Sequence, residues 1–455
     1  MASTVFLIYP SSPAGNNRRL EIAGLDLWKM ARIDNVFVYP SEINIDCFNE
    51  ALSRTLSLWS VVAGRFRLDD GEHYIIEMSD NPIPVTLVKN NDLVRWPFDS
   101  NVVIDFCKNS LSPYIDEVQV SKLFDNTENE PLVRFKLTHI IQSNEWILGI
   151  SWAHELGDAD SCLRFLNTLS RLYQQMEPAE PLPIFERRLW KPDDADPCFL
   201  SGMKHLLDAK PFEVMWKKFM IDQELYDQVN LIFSSEQLVK LQSLASEENN
   251  ITMQDALTAY IILTLNTYCY PNNDERHILR TKTSINFRGV SDSIASYGQI
   301  SNAVFLMLSD NFEDSYSLSN IAKTIRQSII KSRDPNYLER SLATADDAMR
   351  KMIHNNKLAD LGFFPNEIVV NSNLRYDWAN LVDFGYKDKC RFHTGWSGTF
   401  YLRVFRQNPV HNGNEWLPID SNGAEVIFRI EKNLKDNFIN SIRKDMSENF
   451  ENVKK

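Results

Sequence analysis

Residues 146–173 form the segment that most constrains the fold of this chain. They begin with WILGISWAH, an apolar run whose length and composition are typical of a buried strand. After the turn residues Gly157 and Asp158, the stretch DSCLRFLNTLSRLY repeats its apolar side chains at helical spacing. A buried strand that leads directly into an amphipathic helix predicts an α/β fold, in which helices cover a sheet.

Similar mixtures of strands and helices occur along all 455 residues, a length that allows two or three domains of about 150 residues each. Residues 177–197 are rich in proline, which excludes regular structure and favours an extended connection. We therefore predict an N-terminal domain over residues 1–190, a crossover linker over 191–228 and a C-terminal domain over 229–455.

The formal net charge of −13 disfavours nucleic-acid binding, because phosphate backbones are held by clustered Lys and Arg. The six cysteines show no metal-ligand spacing, so neither a zinc site nor a disulfide framework is expected. The N-terminal sequence lacks a basic leader, and the most apolar segment, residues 256–270, is shorter than a membrane-spanning helix. These observations favour a cytoplasmic protein without a membrane partner.

His154, at the end of the buried strand, has three possible interpretations. It can be a core histidine satisfied by a neighbour, or a zinc ligand, since HELGD begins like the zinc motif HExxH. The zinc interpretation fails because Asp158 replaces the second histidine and Gly157 interrupts the helix that the motif requires. The third interpretation is a general base, because imidazole titrates near neutral pH.

Several short motifs occur in an order and spacing that resemble those of the BAHD acyltransferases, especially their fungal-type branch. The His154-to-Asp158 stretch matches the HxxxD signature of that family. The other matching segments are Leu25-Asp26, Ala63-Gly64-Arg65, Asn286-Phe287-Arg288-Gly289 and Asp383-Phe384-Gly385. Together they span nearly the whole chain, and the ordered set is far more specific than HxxxD alone.

The resemblance implies two α/β domains of chloramphenicol-acetyltransferase-like fold, with mixed sheets flanked by helices and a channel between the domains. It also implies an acyltransferase that moves an acyl group from acyl-CoA to a hydroxyl or amine of a small molecule, with His154 as the general base. Acyl-CoA would be a co-substrate, without a metal or a permanently bound cofactor. By the same resemblance we expect a monomeric enzyme of secondary metabolism.

The resemblance further implies that Asp158 points away from the substrate and pairs with Arg288, which with Gly157 would stabilise the turn that presents His154. Asp383, Phe384 and Gly385 match the start of the family's DFGWG motif, which is a structural element. Here the motif continues with Tyr386-Lys387 instead of Trp-Gly. Where relatives carry Thr/Ser-Ser-Trp, this chain has Asn371-Ser372-Asn373, so Asn371 and Ser372 become the candidate oxyanion donors.

Two clusters of basic residues are candidate sites for the phosphates of coenzyme A. Lys387, Lys389 and Arg391 alternate, and a β-strand would project them on one face. The second cluster contains Arg276, Arg280 and Lys282. Either cluster can instead be a solvated surface without a ligand.

Two alternative functions remain open at the level of sequence. The incomplete DFGWG motif and the absent tryptophan are compatible with a catalytically decayed protein that binds coenzyme A or another small molecule. A thioester hydrolase of the same fold, in which water replaces the acceptor, would use the same histidine.

Overall fold

A computed structural model describes residues 3–13, 18–69, 73–125, 128–246, 250–362 and 364–453. The strands are β1 (Ser3–Ile8), β2 (Arg19–Glu21), β3 (Arg32–Tyr39), β4 (Arg65–Asp69), β5 (His73–Glu77), β6 (Ile83–Asn90), β7 (Val133–Ile140), β8 (Glu145–Ala153), β9 (Tyr226–Phe233), β10 (Arg280–Asn286), β11 (Val304–Leu308), β12 (Glu367–Ser372), β13 (Arg391–Thr394), β14 (Tyr401–Arg406) and β15 (Ala424–Glu431). The helices are α1 (Ile45–Leu58), α2 (Val120–Leu123), α3 (Ala159–Tyr173), α4 (Lys204–Leu207), α5 (Phe212–Leu225), α6 (Ser235–Ala245), α7 (Met253–Tyr268), α8 (Leu318–Ser332), α9 (Pro335–His354), α10 (Trp378–Leu381) and α11 (Lys432–Ser447).

The first large sheet has the strand order β1-β6-β7-β8-β3-β13 and mixes parallel with antiparallel pairs. Strands β7 and β8 form a hairpin, and α1 and α3 pack on each other over one face of the sheet. Phe48 of α1 and Phe165 of α3 both contact Phe135 of β7 at edge-to-face or stacked geometry. The central strand and the following helix are therefore held in place by one apolar core.

The second large sheet has the order β11-β10-β12-β14-β15-β9 and is also mixed. Helices α6, α7, α8 and α11 cover one face of it and bury a second apolar core. Helix α7 begins at a capping box, in which Thr252 and Asp255 satisfy each other's backbone N–H groups. A smaller sheet of order β2-β5-β4 packs beside the first core.

The two halves of the chain are joined by a shared sheet and by hydrogen bonds between them. Strand β13, from the second half, pairs antiparallel with β3 and so completes the first sheet. Glu425 of β15 accepts hydrogen bonds from the backbone N–H of Val102, at 2.9 and 3.0 Å. The predicted linker, residues 191–228, contains α4, α5 and the first residues of β9, and the first apolar core continues across the junction into β10 and β11.

Among the helices within the described residues, none combines the length and the apolar character needed to cross a membrane.

Candidate active site

His154 directly follows the last residue of β8, at the edge where β8 meets the second half of the chain. Its backbone N–H donates to Ala31 O at 3.3 Å, and its carbonyl oxygen accepts from Asn302 Nδ2 at 2.7 Å and from Gly157 N–H at 3.2 Å. The side chain is partly exposed, and its ring lies 6.0 Å from that of Trp28. The backbone around the imidazole is thus tied to both halves of the chain.

Asp158 and Arg288 form a buried, bidentate ion pair. Arg288 Nη1 donates to Asp158 Oδ2 at 2.8 Å and Nη2 donates to Oδ1 at 3.0 Å, with the two residues 5% and 2% exposed. Arg288 also donates from Nε to Gln299 O and from Nη2 to Ser301 O. The pairing implied by the resemblance is therefore present.

The same aspartate starts the helix that follows His154. Asp158 Oδ1 accepts from Ser161 N–H at 3.0 Å, as an N-cap residue does, and Oδ2 accepts from Ala303 N–H at 3.0 Å. Gly157 has φ of 150°, and a Cβ there would lie 2.6 Å from Ser161 Oγ. Glycine is required here because both the dihedral angle and the space exclude a side chain.

The electrostatic environment keeps the imidazole neutral and the aspartate charged. Burial lowers the pKa of His154, and this effect outweighs the opposing influence of Asp158 and the Asn302 side chain. Burial alone would raise the pKa of Asp158, but the charge and hydrogen bonds of Arg288 hold it below its ordinary value. A neutral imidazole at neutral pH can accept a proton without first losing one.

Beside His154 lies a second buried acid, Glu155. It is 0% exposed, and neither carboxyl oxygen has a hydrogen-bond partner among the described residues. Burial raises the pKa of Glu155 well above the ordinary value, which favours the uncharged form of this side chain.

The family follows from comparison of the whole chain with known proteins. A model described as the Transferase family matches residues 3–393. The chain belongs to this family, the BAHD acyltransferases. The predicted membership is confirmed, and the match ends within β13, before strands β14 and β15 of the second large sheet.

Solved structures of BAHD acyltransferases share the fold of this chain at low sequence identity. Vinorine synthase is 14% identical with a TM-score of 0.61, and the match covers 95% of each chain. F. graminearum TRI101 complexed with coenzyme A and T-2 mycotoxin is 12% identical with a TM-score of 0.60, covering 94% of this chain and 98% of that one. The same TRI101 complexed with coenzyme A and deoxynivalenol has a TM-score of 0.58, with 12% identity and the same coverage. A search of curated proteins finds no match.

The DFG segment of this family member packs the second half of the chain onto the first. Asp383 Oδ1 accepts from the backbone N–H groups of Gly385 and Tyr386. Its carbonyl oxygen accepts from Ser170 of α3 and from Gln174, the residue that follows this helix. Phe384 packs against Tyr39, Phe48 and Tyr173. Gly385 has φ of 98°, which favours glycine. The segment is a packing element in the described structure.

The two oxyanion candidates lie at the end of β12, and both side chains already have partners. Ser372 Oγ donates to Gln254 Oε1 at 2.6 Å, which uses its single hydroxyl proton. Asn371 Nδ2 donates to Tyr401 Oη at 3.1 Å, which leaves one of its two amide protons available.

The predicted arrangement of the first basic cluster is wrong. Lys387 and Lys389 lie in a turn in which Asp388 has φ of 61°, and only Arg391 lies on a strand. The three side chains therefore do not share one strand face. Arg391 forms an ion pair with Glu145 at 2.6 Å, whereas Lys387 and Lys389 are exposed.

The second basic cluster is occupied by ion pairs within the protein. Arg276 pairs with Asp274 at 2.6 Å and with Glu431 at 2.5 Å. Arg280 and the buried Lys282 both pair with Glu367, at 2.6 and 3.1 Å. These cations have carboxylate partners and are less available to a phosphate than exposed lysines are.

Arg288 also lines a cleft of about 330 Å³, together with Asp160, Arg164, Tyr297 and Arg375. His154 is not among the residues that line this cleft.

Sequence reasoning missed the roles of Asn302, Asp26 and Arg187, whose side chains form a series of contacts that ends at the carbonyl oxygen of His154. Asp26, which the motif comparison identified without a role, accepts from both Asn302 N–H at 2.6 Å and Asn302 Nδ2 at 3.1 Å. Asp26 also pairs with Arg187 Nε at 2.7 Å. A polar residue in the apolar stretch ISNAVFL was the available signal for Asn302, but nothing in that stretch indicates its partners.

Proposed function

We propose that this protein transfers an acyl group from acyl-CoA to a hydroxyl or amine of a small-molecule acceptor, with His154 as the general base. The observation that carries the proposal is a neutral, partly exposed imidazole on a turn that the buried Asp158–Arg288 pair stabilises. Because Asp158 bonds to Arg288, Ser161 and Ala303, it acts on the backbone that presents the imidazole. Family membership supports acyl transfer from acyl-CoA.

In the proposed reaction, the acceptor hydroxyl or amine gives its proton to His154 as its oxygen or nitrogen attacks the thioester carbonyl. A new C–O or C–N bond forms, and the carbonyl oxygen becomes an oxyanion. When the oxyanion collapses, the C–S bond breaks and the proton on His154 passes to the coenzyme A sulfur. The histidine returns to its neutral state, so these reaction steps need no covalent acyl-enzyme.

Of the two oxyanion candidates, we favour Asn371. Its second amide proton is free to donate, whereas the single proton of Ser372 is committed to Gln254. One such donor is worth about 3 kcal/mol in the transition state.

Lys387 and Lys389 remain our candidates for the phosphates of coenzyme A, because they are exposed and Arg391 is not available. In the TRI101 complexes, coenzyme A is bound together with a small molecule, T-2 mycotoxin or deoxynivalenol. For this chain, we propose a comparable pair of ligands and leave the acceptor as an alcohol or an amine.

We propose the domain division 1–190 and 229–455, with 191–228 as the connection. One helix-covered sheet lies mostly in each half, which supports this division. The proposed enzyme is a cytoplasmic monomer of secondary metabolism, and its substrates meet in a channel between the domains.

The experiment that tests this function is a thiol-release assay with a panel of acyl-CoA donors and alcohol or amine acceptors. His154→Ala should lose at least about 100-fold of the acceptor-dependent rate, because general-base catalysis contributes about 100- to 10,000-fold. His139→Ala is the matched control. His139 lies on the paired strand next to the hairpin turn, where it stacks on Trp146, and its replacement should leave the rate unchanged.

Two outcomes of the assay would contradict the proposal. Thiol release that is as fast without acceptor as with it would indicate a hydrolase. Binding of coenzyme A without turnover by the wild type, across the panel, would indicate a binding protein.

A further inference from the structure

Asn302 is held in a single orientation by the groups around its amide nitrogen. Nδ2 donates both to His154 O at 2.7 Å and to Asp26 Oδ1 at 3.1 Å, so both of its protons are used. Asp26 is in turn paired with Arg187 at 2.7 Å, and both side chains are 1% exposed. A flipped amide would place its oxygen against two acceptors, so the observed orientation is strongly preferred.

With Nδ2 committed in this way, Asn302 Oδ1 is buried and lacks a hydrogen-bond donor among the described residues. His154 Nδ1 is likewise buried and has no partner there. One atom is an acceptor, and the other becomes a donor in one of the two neutral tautomers of imidazole. Two unpartnered buried polar atoms on adjoining side chains are costly unless they bond to each other.

A competing acceptor for Nδ1–H is the carbonyl oxygen of His154 itself, which like the Asn302 side chain influences the imidazole. That oxygen already accepts from Asn302 Nδ2 and from Gly157 N–H, which occupies both of its lone pairs. Asn302 Oδ1 is therefore the acceptor with free capacity.

We propose that Asn302 is a positioning residue, whose Oδ1 accepts a hydrogen bond from Nδ1–H of His154 and thereby leaves Nε2 as the basic nitrogen. A small rotation of the imidazole towards the amide forms this bond, as catalytic hydrogen bonds often tighten when substrate binds. The Asp26–Arg187 pair keeps the amide oriented. The role of Nε2 as base rests on the function proposed above, but the tautomer does not.

The tautomer can be measured without substrate, by ¹⁵N NMR of protein labelled on histidine. The two ring nitrogens of a neutral histidine have different ¹⁵N shifts, and the pattern shows which nitrogen carries the proton. Comparison with His154→Gln identifies the His154 signals among the eight histidines. At neutral pH we expect the proton on Nδ1, and a proton on Nε2 in the wild type would overturn the proposal even if no variant folded.

Asn302→Leu keeps the number and branching of the side-chain heavy atoms and removes the amide. We expect it to shift the tautomer towards a mixture and to lower kcat by about 100-fold, with a smaller change in the KM for acyl-CoA. If the carbonyl oxygen of His154 is the true acceptor, the tautomer will be unchanged in this variant, which contradicts the proposal. Asn302→Ser serves the same comparison if the leucine variant does not fold.

Asn266→Leu is the matched control for the loss of a buried amide. Asn266 is 1% exposed and bonds to Ile278 and Ser315 in the second core. Its loss should reduce stability and leave the His154 shifts unchanged. If the thiol-release assay detects no transfer but the NMR result holds, the proposed function fails and the positioning role stands.

Discussion

Replacement of Arg288 by methionine tests how strongly the fold depends on the ion pair behind His154. Arg288→Met removes a guanidinium that contacts both oxygens of Asp158 and leaves that carboxylate buried with only Ser161 and Ala303 as donors. An unpaired buried charge costs about 3–5 kcal/mol, so we expect the free energy of unfolding to fall by that amount at neutral pH. Urea unfolding followed by circular dichroism measures this loss.

The direction of the Asp158 pKa shift determines how the stability contributed by the ion pair changes with pH. Because Arg288 holds the pKa of Asp158 below its ordinary value in the fold, the pair contributes stability above the unfolded carboxyl pKa. That contribution is lost as the pH falls through the lower, folded pKa. The difference between wild type and Arg288→Met should therefore shrink in acid.

A double-mutant cycle separates the pair from the packing of its members. In Asp158→Asn/Arg288→Met, neither charge remains, so part of the stability lost in Arg288→Met should return. The coupling energy should exceed about 1 kcal/mol, because contacting residues in one ion-pair network couple by about 0.5–3 kcal/mol. A coupling energy near zero, or a wild-type stability in Arg288→Met, would refute the electrostatic reasoning.

Three further predictions concern buried acids and the basic turn. Burial raises the pKa of Glu425 from 4.5 to about 7. The stability that protonated Glu425 contributes is therefore present below pH 4.5 and is lost as the pH rises to about 7. Glu425→Gln should remove this decrease in the free energy of unfolding, as measured by urea unfolding at a series of pH values. Burial also favours the protonated form of Glu155, so Glu155→Gln, which has no charge to lose, should raise the melting temperature at neutral pH, and a lower melting temperature would contradict this reasoning. Lys387→Glu/Lys389→Glu should raise the KM for acyl-CoA in the thiol-release assay, and an unchanged KM would discard this phosphate site.

Local patterns were sufficient where a structural element depends on its own residues. The apolar period predicts α1 over residues 45–58, and the structure has Ile45–Leu58, because the same face packs on the first sheet. The capping box at Thr252 and Asp255 closes within one helical turn, so it could be predicted in the same way.

Long-range partners explain where local patterns failed. Arg391 alternates with Lys387 and Lys389 in the sequence, but its charge is neutralised by Glu145 on a distant strand. The left-handed backbone at Asp388 keeps the two lysines in a turn. Neither fact has a signature within the segment itself.

The amino-acid sequence by itself determined the α/β class, the strand that ends at His154 and the motifs that identify the family, because each depends on residues close together in the chain or on motifs that recur in order. Tertiary structure alone decided that Asn302, Asp26 and Arg187 form a chain of contacts that ends at the carbonyl oxygen of His154, since contacts between residues so far apart in the chain arise only when both halves have packed. It also decided the directions in which the pKa values of His154 and Glu155 shift, because burial and not residue type lowers the first pKa and raises the second.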